Sequence, residues 1–165
     1  MTETFDHIVR IESPIGRLEL TSDGARLNSL TIARGGVLPH DDRPERSSRV
    51  LERAHRQLDG YFECTRRSFT IPLAYAGTPF QRLVWQRIAA LRWGERTSYR
   101  ELGIDIGRPE ACRAIGGAVA ANPLPIIIGC HRVLSSTGRV VGYTGGEGIP
   151  TKLWLLEHEA ITLAA

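Results

Sequence analysis

The chain has 165 residues, 42% of them hydrophobic and 24% charged, which excludes intrinsic disorder and leaves room for one folded domain or two small ones. Eleven basic and eleven acidic residues precede Pro79, and ten basic and seven acidic residues follow from there on, so the whole net charge of +3 lies in the second half. That excess suits a nucleic-acid partner and a solvated surface equally well. The opening stretch Met1–Arg10 carries acids and no apolar run of leader length, and nothing later approaches the roughly twenty apolar residues that span a bilayer. A cytoplasmic protein of bacterial or archaeal type, without membrane contact, is expected. Three cysteines, Cys64, Cys112 and Cys130, without C-x-x-C spacing, argue against a disulfide framework and a structural zinc, so the chain reads as reduced and metal-free. Only Lys152 among the 21 basic residues is lysine; arginine suits phosphate and base-edge contacts.

In chain order, Ile8 and Ile11, Leu18 and Leu20, and Leu30 and Ile32 mark three short strands separated by Ser-Pro-Ile-Gly and Ser-Asp-Gly turns, which predicts a small antiparallel sheet. Residues 34–46 read as a loop. Val50, Leu51, Ala54, Leu58 and Tyr61 recur at helical spacing and predict one helix covering the sheet. Phe69, Ile71 and Leu73 alternate as a further strand, and Ala76-Gly77 reads as a linker. The predicted domains are therefore 1–76 and 77–165.

Beyond the linker, Thr78, Pro79 and Gln81 form a capping box that opens a helix with Phe80, Leu83, Val84, Ile88 and Leu91 on one face. Ser98 with Glu101 repeats the box for a short helix carrying Leu102 and Ile106 and ending at Gly107. Pro109 is expected to open a third helix that buries Ala111, Ile115, Ala118 and Val119 and stops near Asn122, before Pro123 and Pro125. The last two helices make a helix-turn-helix candidate. Pro150 opens a closing helix expected to pack through Leu153, Leu156 and Ala160.

Three features can carry chemistry. Opposite its buried side, the third helix shows Arg113, Gly116, Gly117 and Ala120, one cation on almost bare backbone. Each interior glycine costs about 1 kcal/mol relative to alanine, so a nucleic-acid groove or a closely packed helix should approach this face. Ile126–Ile128 read as a short buried strand ending at Gly129-Cys130-His131-Arg132-Val133, where the histidine and arginine supply the positive surroundings a reactive thiolate needs. Neighbours on an extended chain point apart, so a water relay from Cys130 to His131 is favoured, with Glu157 or Glu159 on the last helix available to orient the imidazole. A small-residue loop, Ser135-Ser136-Thr137-Gly138 to Gly142-Tyr143-Thr144-Gly145-Gly146, can wrap a planar ligand or simply lie on the surface.

Asn-Pro-Leu-Pro-Ile-Ile-Ile-Gly-Cys-His-Arg-Val at 122–133, together with Thr-Pro-Phe-Gln-Arg-Leu-Val-Trp from 78, Thr-Ser-Tyr-Arg-Glu-Leu from 97 and Arg-Ala-Ile-Gly-Gly-Ala from 113, resembles the O6-alkylguanine-DNA alkyltransferase family. The likeness runs from Gly77 to Glu159 and is weaker in the first third. It implies an α+β fold, an RNase H-like sheet with a covering helix followed by a mostly helical, winged-helix-like helix-turn-helix domain. It implies DNA repair by direct reversal, in which O6-alkylguanine, with O4-alkylthymine as a further candidate, is flipped from the duplex and its alkyl group moves irreversibly to Cys130 in a single turnover. By resemblance, His131 takes the thiol proton through a water, Glu159 orients it, and Tyr99 serves the departing purine and the flanking phosphate. Asn122 braces the turn and Arg113 fills the gap in the base stack, on a DNA-facing surface that includes Gly116, Gly117 and Ala120. Val133, Tyr143 and Thr144, the last through its backbone, line the pocket. The implied partner is double-stranded DNA bearing alkylated bases, met by a monomer acting singly or cooperatively, with no cofactor.

The chain departs from the family at Gly129, where proline is usual, at Cys112, where a small apolar residue is common, and at Arg92-Trp93-Gly94, in place of Pro-Tyr-Gly. Glycine at 129 predicts a freer backbone beside the nucleophile. An alkyltransferase-like protein that only flags damage is the alternative, although such relatives carry tryptophan at the cysteine position. A helix-turn-helix transcription factor would need polar base-reading residues that the Gly116-Gly117 face lacks. A cysteine hydrolase would need a nucleophile elbow and an oxyanion hole.

Overall fold

The structure of the chain, a computed structural model, describes residues 5–164; the first four residues of the stretch read above for a leader lie outside the described residues. The chain forms two compact units, one running to Ala76 and including Gly145–Glu147, the other comprising Gly77–Thr144 and the residues from Gly148 onward. Gly145–Glu147, expected in the second domain, thus group with the first. The reason is hydrogen bonding: Arg34 Nε donates to the Gly146 carbonyl at 2.9 Å and the Gly35 amide to Glu147 Oε1 at 2.6 Å.

In the first unit β1 (His7–Ile11), β2 (Leu18–Ser22) and β3 (Leu27–Ile32) form an antiparallel sheet in that order. Helix α1 (Arg49–Phe62) packs on it, capped by the Ser48 hydroxyl accepting from the Leu51 amide, with the five expected apolar residues buried. Glu19 of β2, whose side chain points away from those of Leu18 and Leu20, is nevertheless only 1% exposed. The 34–46 loop covers it, placing His40 Nδ1 2.6 Å from Glu19 Oε1. Phe69, Ile71 and Leu73 form no strand. Leu73 makes only an isolated parallel bridge to Leu27, and Pro72, whose carbonyl accepts from the Leu27 amide, has no N–H to extend a ladder.

The second unit contains α2 (Pro79–Ala89), β4 (Thr97–Ser98), α3 (Tyr99–Asp105), α4 (Cys112–Ala120), β5 (Val133–Leu134) and α5 (Ile149–His158). Both capping boxes form as read from the sequence. The buried face of α2 is Val84, Trp85 and Ile88, while Leu83, expected inside, is 42% exposed. Trp85 takes the inner position because its Nε1 donates to the Ala118 carbonyl of α4 at 2.7 Å. A Cβ on Gly77 would come within 2.4 Å of the same indole, so Gly77 is a packing position and not a free linker.

Helix α3 ends before Gly107, which holds φ 73. Pro109 does not open α4. It lies in a turn, closed by the Arg108 and Ala111 amides, that delays the helix to Cys112 and leaves Ala111 half-buried as the N-cap. Ile115, Ala118 and Val119 are buried as expected. In α5 the inward stripe is Thr151, Lys152, Leu155 and Leu156; Leu153 and Ala160 are exposed, and Ala160 stands beyond the helix at φ 55. The fold is α+β, and among the described residues no helix is long and apolar enough to cross a membrane.

Candidate active site

The segment leading to Cys130 is not the expected strand. Ile126 stands at φ 74, a strained value for a β-branched residue, and the Ile128 amide folds back to the Leu124 carbonyl at 2.8 Å. Pro123 and Pro125 remove two of the amides a strand would use. Asn122 holds the resulting turns: its Nδ2 donates to the Ile128 carbonyl at 2.7 Å and its Oδ1 accepts from the Leu124 amide at 2.9 Å. Ile126 and Ile128 fill the core even so, and Cys130 opens a 3-10 turn, Cys130–Arg132, that runs into β5. Parallel pairing of Thr97 with Val133 and Ser98 with Leu134 ties that turn to the start of α3.

Cys130 lies on the wall of a cavity of about 210 Å³ within the second unit. Tyr99 of α3, Gly116 and Ala120 of α4, Tyr143 and Thr144 of the following loop, and Lys152 of α5 share that wall. Thr144 is anchored by its hydroxyl, which donates to the Ala120 carbonyl at 2.9 Å. Val133, read as a pocket residue, is fully buried outside the lining; its carbonyl accepts from Lys152 Nζ at 2.6 Å.

Behind the cysteine, His131 and Glu159 are both buried, with His131 Nε2 2.8 Å from Glu159 Oε1. His131 Nδ1 has no hydrogen-bond partner among the described residues. Arg132 grips the same carboxylate, Nε to Oε2 at 2.8 Å and Nη2 to Oε1 at 2.9 Å. Of the two glutamates open to the histidine, Glu159 is the one that reaches it, while Glu157 is exposed.

Burial pushes the Cys130 thiol up, against the opposing pull of Asn122, Tyr143 and the Lys152 charge, so the resting group is a thiol. Burial likewise pushes His131 down, which outweighs Glu159 and leaves the imidazole neutral. Burial alone would raise Glu159, but hydrogen bonds from His131 and Arg132 hold it well below the usual carboxylate range. Burial raises Tyr99, with the Cys130 charge adding to it, which keeps the phenol protonated. Lys152 is lowered by burial to about 8, partly offset by Cys130. The positive surroundings expected from His131 and Arg132 therefore come from Lys152 instead, since Arg132 is committed to Glu159. Its one available signal was its singularity among arginines.

On the outer face of α4, Arg113 is exposed and its side chain makes no hydrogen bond or ion pair among the described residues, and a Cβ on Gly116 or Gly117 would meet nothing within 4 Å. Open space, not a neighbouring helix, faces these glycines.

Residues 79–161 match the family of 6-O-methylguanine DNA methyltransferase DNA-binding domains, and residues 10–75 match the ribonuclease-like domain of the same enzymes. The chain is 37% identical to the methylated-DNA--protein-cysteine methyltransferase of Mycobacterium leprae over 94% of this chain and 95% of that one. It is 39% identical to that of Methanosarcina barkeri, over 90% and 94%. The crystal structure of Mycobacterium tuberculosis OGT in complex with DNA superposes with a TM-score of 0.84 at 37% identity, covering 94% of this chain and 93% of that one.

Proposed function

Because the chain belongs to the 6-O-methylguanine DNA methyltransferase family, we propose that it acts as a methylated-DNA–protein-cysteine methyltransferase, drawing O6-alkylguanine out of duplex DNA and moving its alkyl group onto Cys130 once per molecule. The observation that carries this reading is a buried thiol opening into a cavity that is walled on one side by the bare face of α4.

An alkylated guanine inside a duplex hides its reactive carbon, so the base must leave the stack at a cost of a few kcal/mol. Arg113, exposed and uncommitted on α4, is the side chain suited to fill the gap, and Gly116, Gly117 and Ala120 let the DNA backbone approach closely. Binding of this kind rests on phosphate contacts and deformability, so it should be indifferent to sequence. The relative from Mycobacterium tuberculosis, solved with DNA, supports DNA as the partner.

In the transfer step the Cys130 thiolate attacks the alkyl carbon. The S–C bond forms as the bond from carbon to O6 breaks, and the electron pair passes to the guanine. The thiol proton moves through a water to the free Nδ1 of His131, whose Nε2 is turned to Glu159. Lys152 stabilises the thiolate, and Tyr99 gives its proton to the departing purine and is reprotonated through solvent as His131 releases the thiol proton. The net exchange is one alkyl group for one proton. A thioether has no return route, so the protein is consumed.

Incubation with duplex DNA carrying O6-methylguanine should add one methyl mass to the peptide holding Cys130. Cys130→Ser should remove the gain and keep DNA binding. An unmodified wild-type peptide beside intact lesion refutes the proposal.

A further inference from the structure

We infer that Arg132 is a positioning residue that, in space vacated by Gly129, clamps Glu159 so that His131 stays a neutral acceptor toward Cys130.

Three nitrogens of the Arg132 guanidinium are engaged. Nε and Nη2 take the two oxygens of Glu159 at 2.8 and 2.9 Å, and Nη1 donates to the Leu91 carbonyl at 2.8 Å. Oε1 thus serves both Arg132 and His131, and Oε2 receives a further, longer bond from the Gly94 amide at 3.4 Å. A carboxylate already compensated by a two-pronged arginine gives little reward for a second positive charge. Burial is the largest influence that disfavours the imidazolium, and the charges of Arg132 and of Lys152 of α5 add to it against the pull of Glu159. The imidazole therefore places its one proton on Nε2 toward Glu159 and leaves Nδ1 as a lone pair.

Gly129 gives that clamp room. Its φ of −71 is one any residue adopts, so backbone freedom is not why glycine stands there. Space is: a Cβ at this position would lie 2.9 Å from Arg132 Nη1, 3.0 Å from Cζ and 3.1 Å from Nε. The guanidinium lies against the Gly129 backbone and cannot withdraw without releasing Leu91 or Glu159. The glycine expected to loosen the backbone instead admits the group that orders the relay.

This deepens the proposed transfer and rests on it for the meaning of the relay, but its test involves no DNA. Imidazole nitrogen NMR of the full chain, labelled in histidine and assigned with His131→Gln, reports the protonation state directly. In the wild type the His131 signals should stay those of a neutral ring with a bare Nδ1 from about pH 5.5 to 8.5. In Arg132→Gln, Glu159 loses its cationic partner, and the midpoint of His131 should rise by about one pH unit or more. Gly129→Ala should shift it in the same direction by less, and Arg132→Lys, with no fork, should fall between. If Arg132→Gln does not fold, Gly129→Ala and Arg132→Lys decide by the same signal. A His131 that is charged in the wild type, or stays neutral throughout in the variants, overturns the inference. A wild type that transfers no methyl group while its variants shift as described refutes the transferase reading and leaves this inference standing; the converse pattern does the opposite.

Discussion

Each unit of the molecule buries a glutamate against a histidine and an arginine, and only one of these trios adjoins a reactive group. Glu19 in the first unit meets His40 at 2.6 Å and Arg10 at 3.8 Å, while Glu159 in the second meets His131 and Arg132, both at 2.8 Å. The first trio fastens a loop: the His40 backbone amide also donates to Glu19, the imidazole is 31% exposed, and the leftover polar atom is a donor, Arg10 Nε. In the second the imidazole is 0% exposed and the leftover atom is Nδ1 of a neutral ring, an acceptor. It belongs to the residue next to Cys130, which lines a cavity. The residue types alone therefore decide nothing. A spare acceptor beside a nucleophile and an open volume separates chemistry from fastening.

Removing each carboxylate tests that distinction, and the largest effect is expected at Glu159. Glu159→Gln should slow methyl transfer about a hundredfold or more, because the imidazole loses its orienting anion. It should also cost about 3 to 5 kcal/mol in urea unfolding, because Arg132 stays buried without its partner. Lys152→Met comes next. Each pKa unit by which the thiol rises removes about a factor of ten in thiolate, and a loss of about tenfold in transfer rate near neutral pH is expected, recovered in part as pH rises. Glu19→Gln should cost about 1 to 3 kcal/mol of stability and leave the transfer rate of the folded protein within about a factor of two. Loss of transfer in Glu19→Gln with transfer retained in Glu159→Gln would invert the comparison.

What could be read from the sequence follows the range of the forces involved. The capping boxes at Thr78 and Ser98 and the buried stripe of α1 depend on neighbours within one or two turns, and their patterns were visible in the residue order. Trp85 in place of Leu83, and Glu19 buried beneath the 34–46 loop, depend on partners 33 and 21 residues away, and no local spacing encodes them. Ile126–Ile128 is apolar and β-branched, as a buried strand should be. Two prolines and the Asn122 side chain nevertheless give it turns, because the prolines offer no amide and Asn122 binds the Leu124 amide and the Ile128 carbonyl. In the site, Cys130 and His131 stood out as a motif, while the choice of Glu159 over Glu157 came from resemblance. The commitment of Arg132 to Glu159, which leaves Lys152 as the cation at the thiol, needed coordinates.

The smallest effect concerns Lys152 itself. Its folded pKa of about 8 lies below the ordinary 10.5, because burial disfavours the ammonium. Between those values the unfolded chain binds a proton that the folded chain has released. Stability therefore rises with pH across that window and carries the full penalty of the buried charge below it. Cys130 would confuse the measurement, since its raised thiol pKa makes stability fall as pH rises. The clean comparison is Cys130→Ala against Cys130→Ala with Lys152→Met, unfolded in urea at several pH values. The window should then open at about 8 or slightly below, because Cys130, which offsets part of the effect of burial on Lys152, is gone. The protein that keeps Lys152 should gain on the methionine variant from there up to about pH 10.5. A constant difference would mean that Lys152 titrates as a solvated cation, with a role at the thiol no greater than that of Arg10 at Glu19.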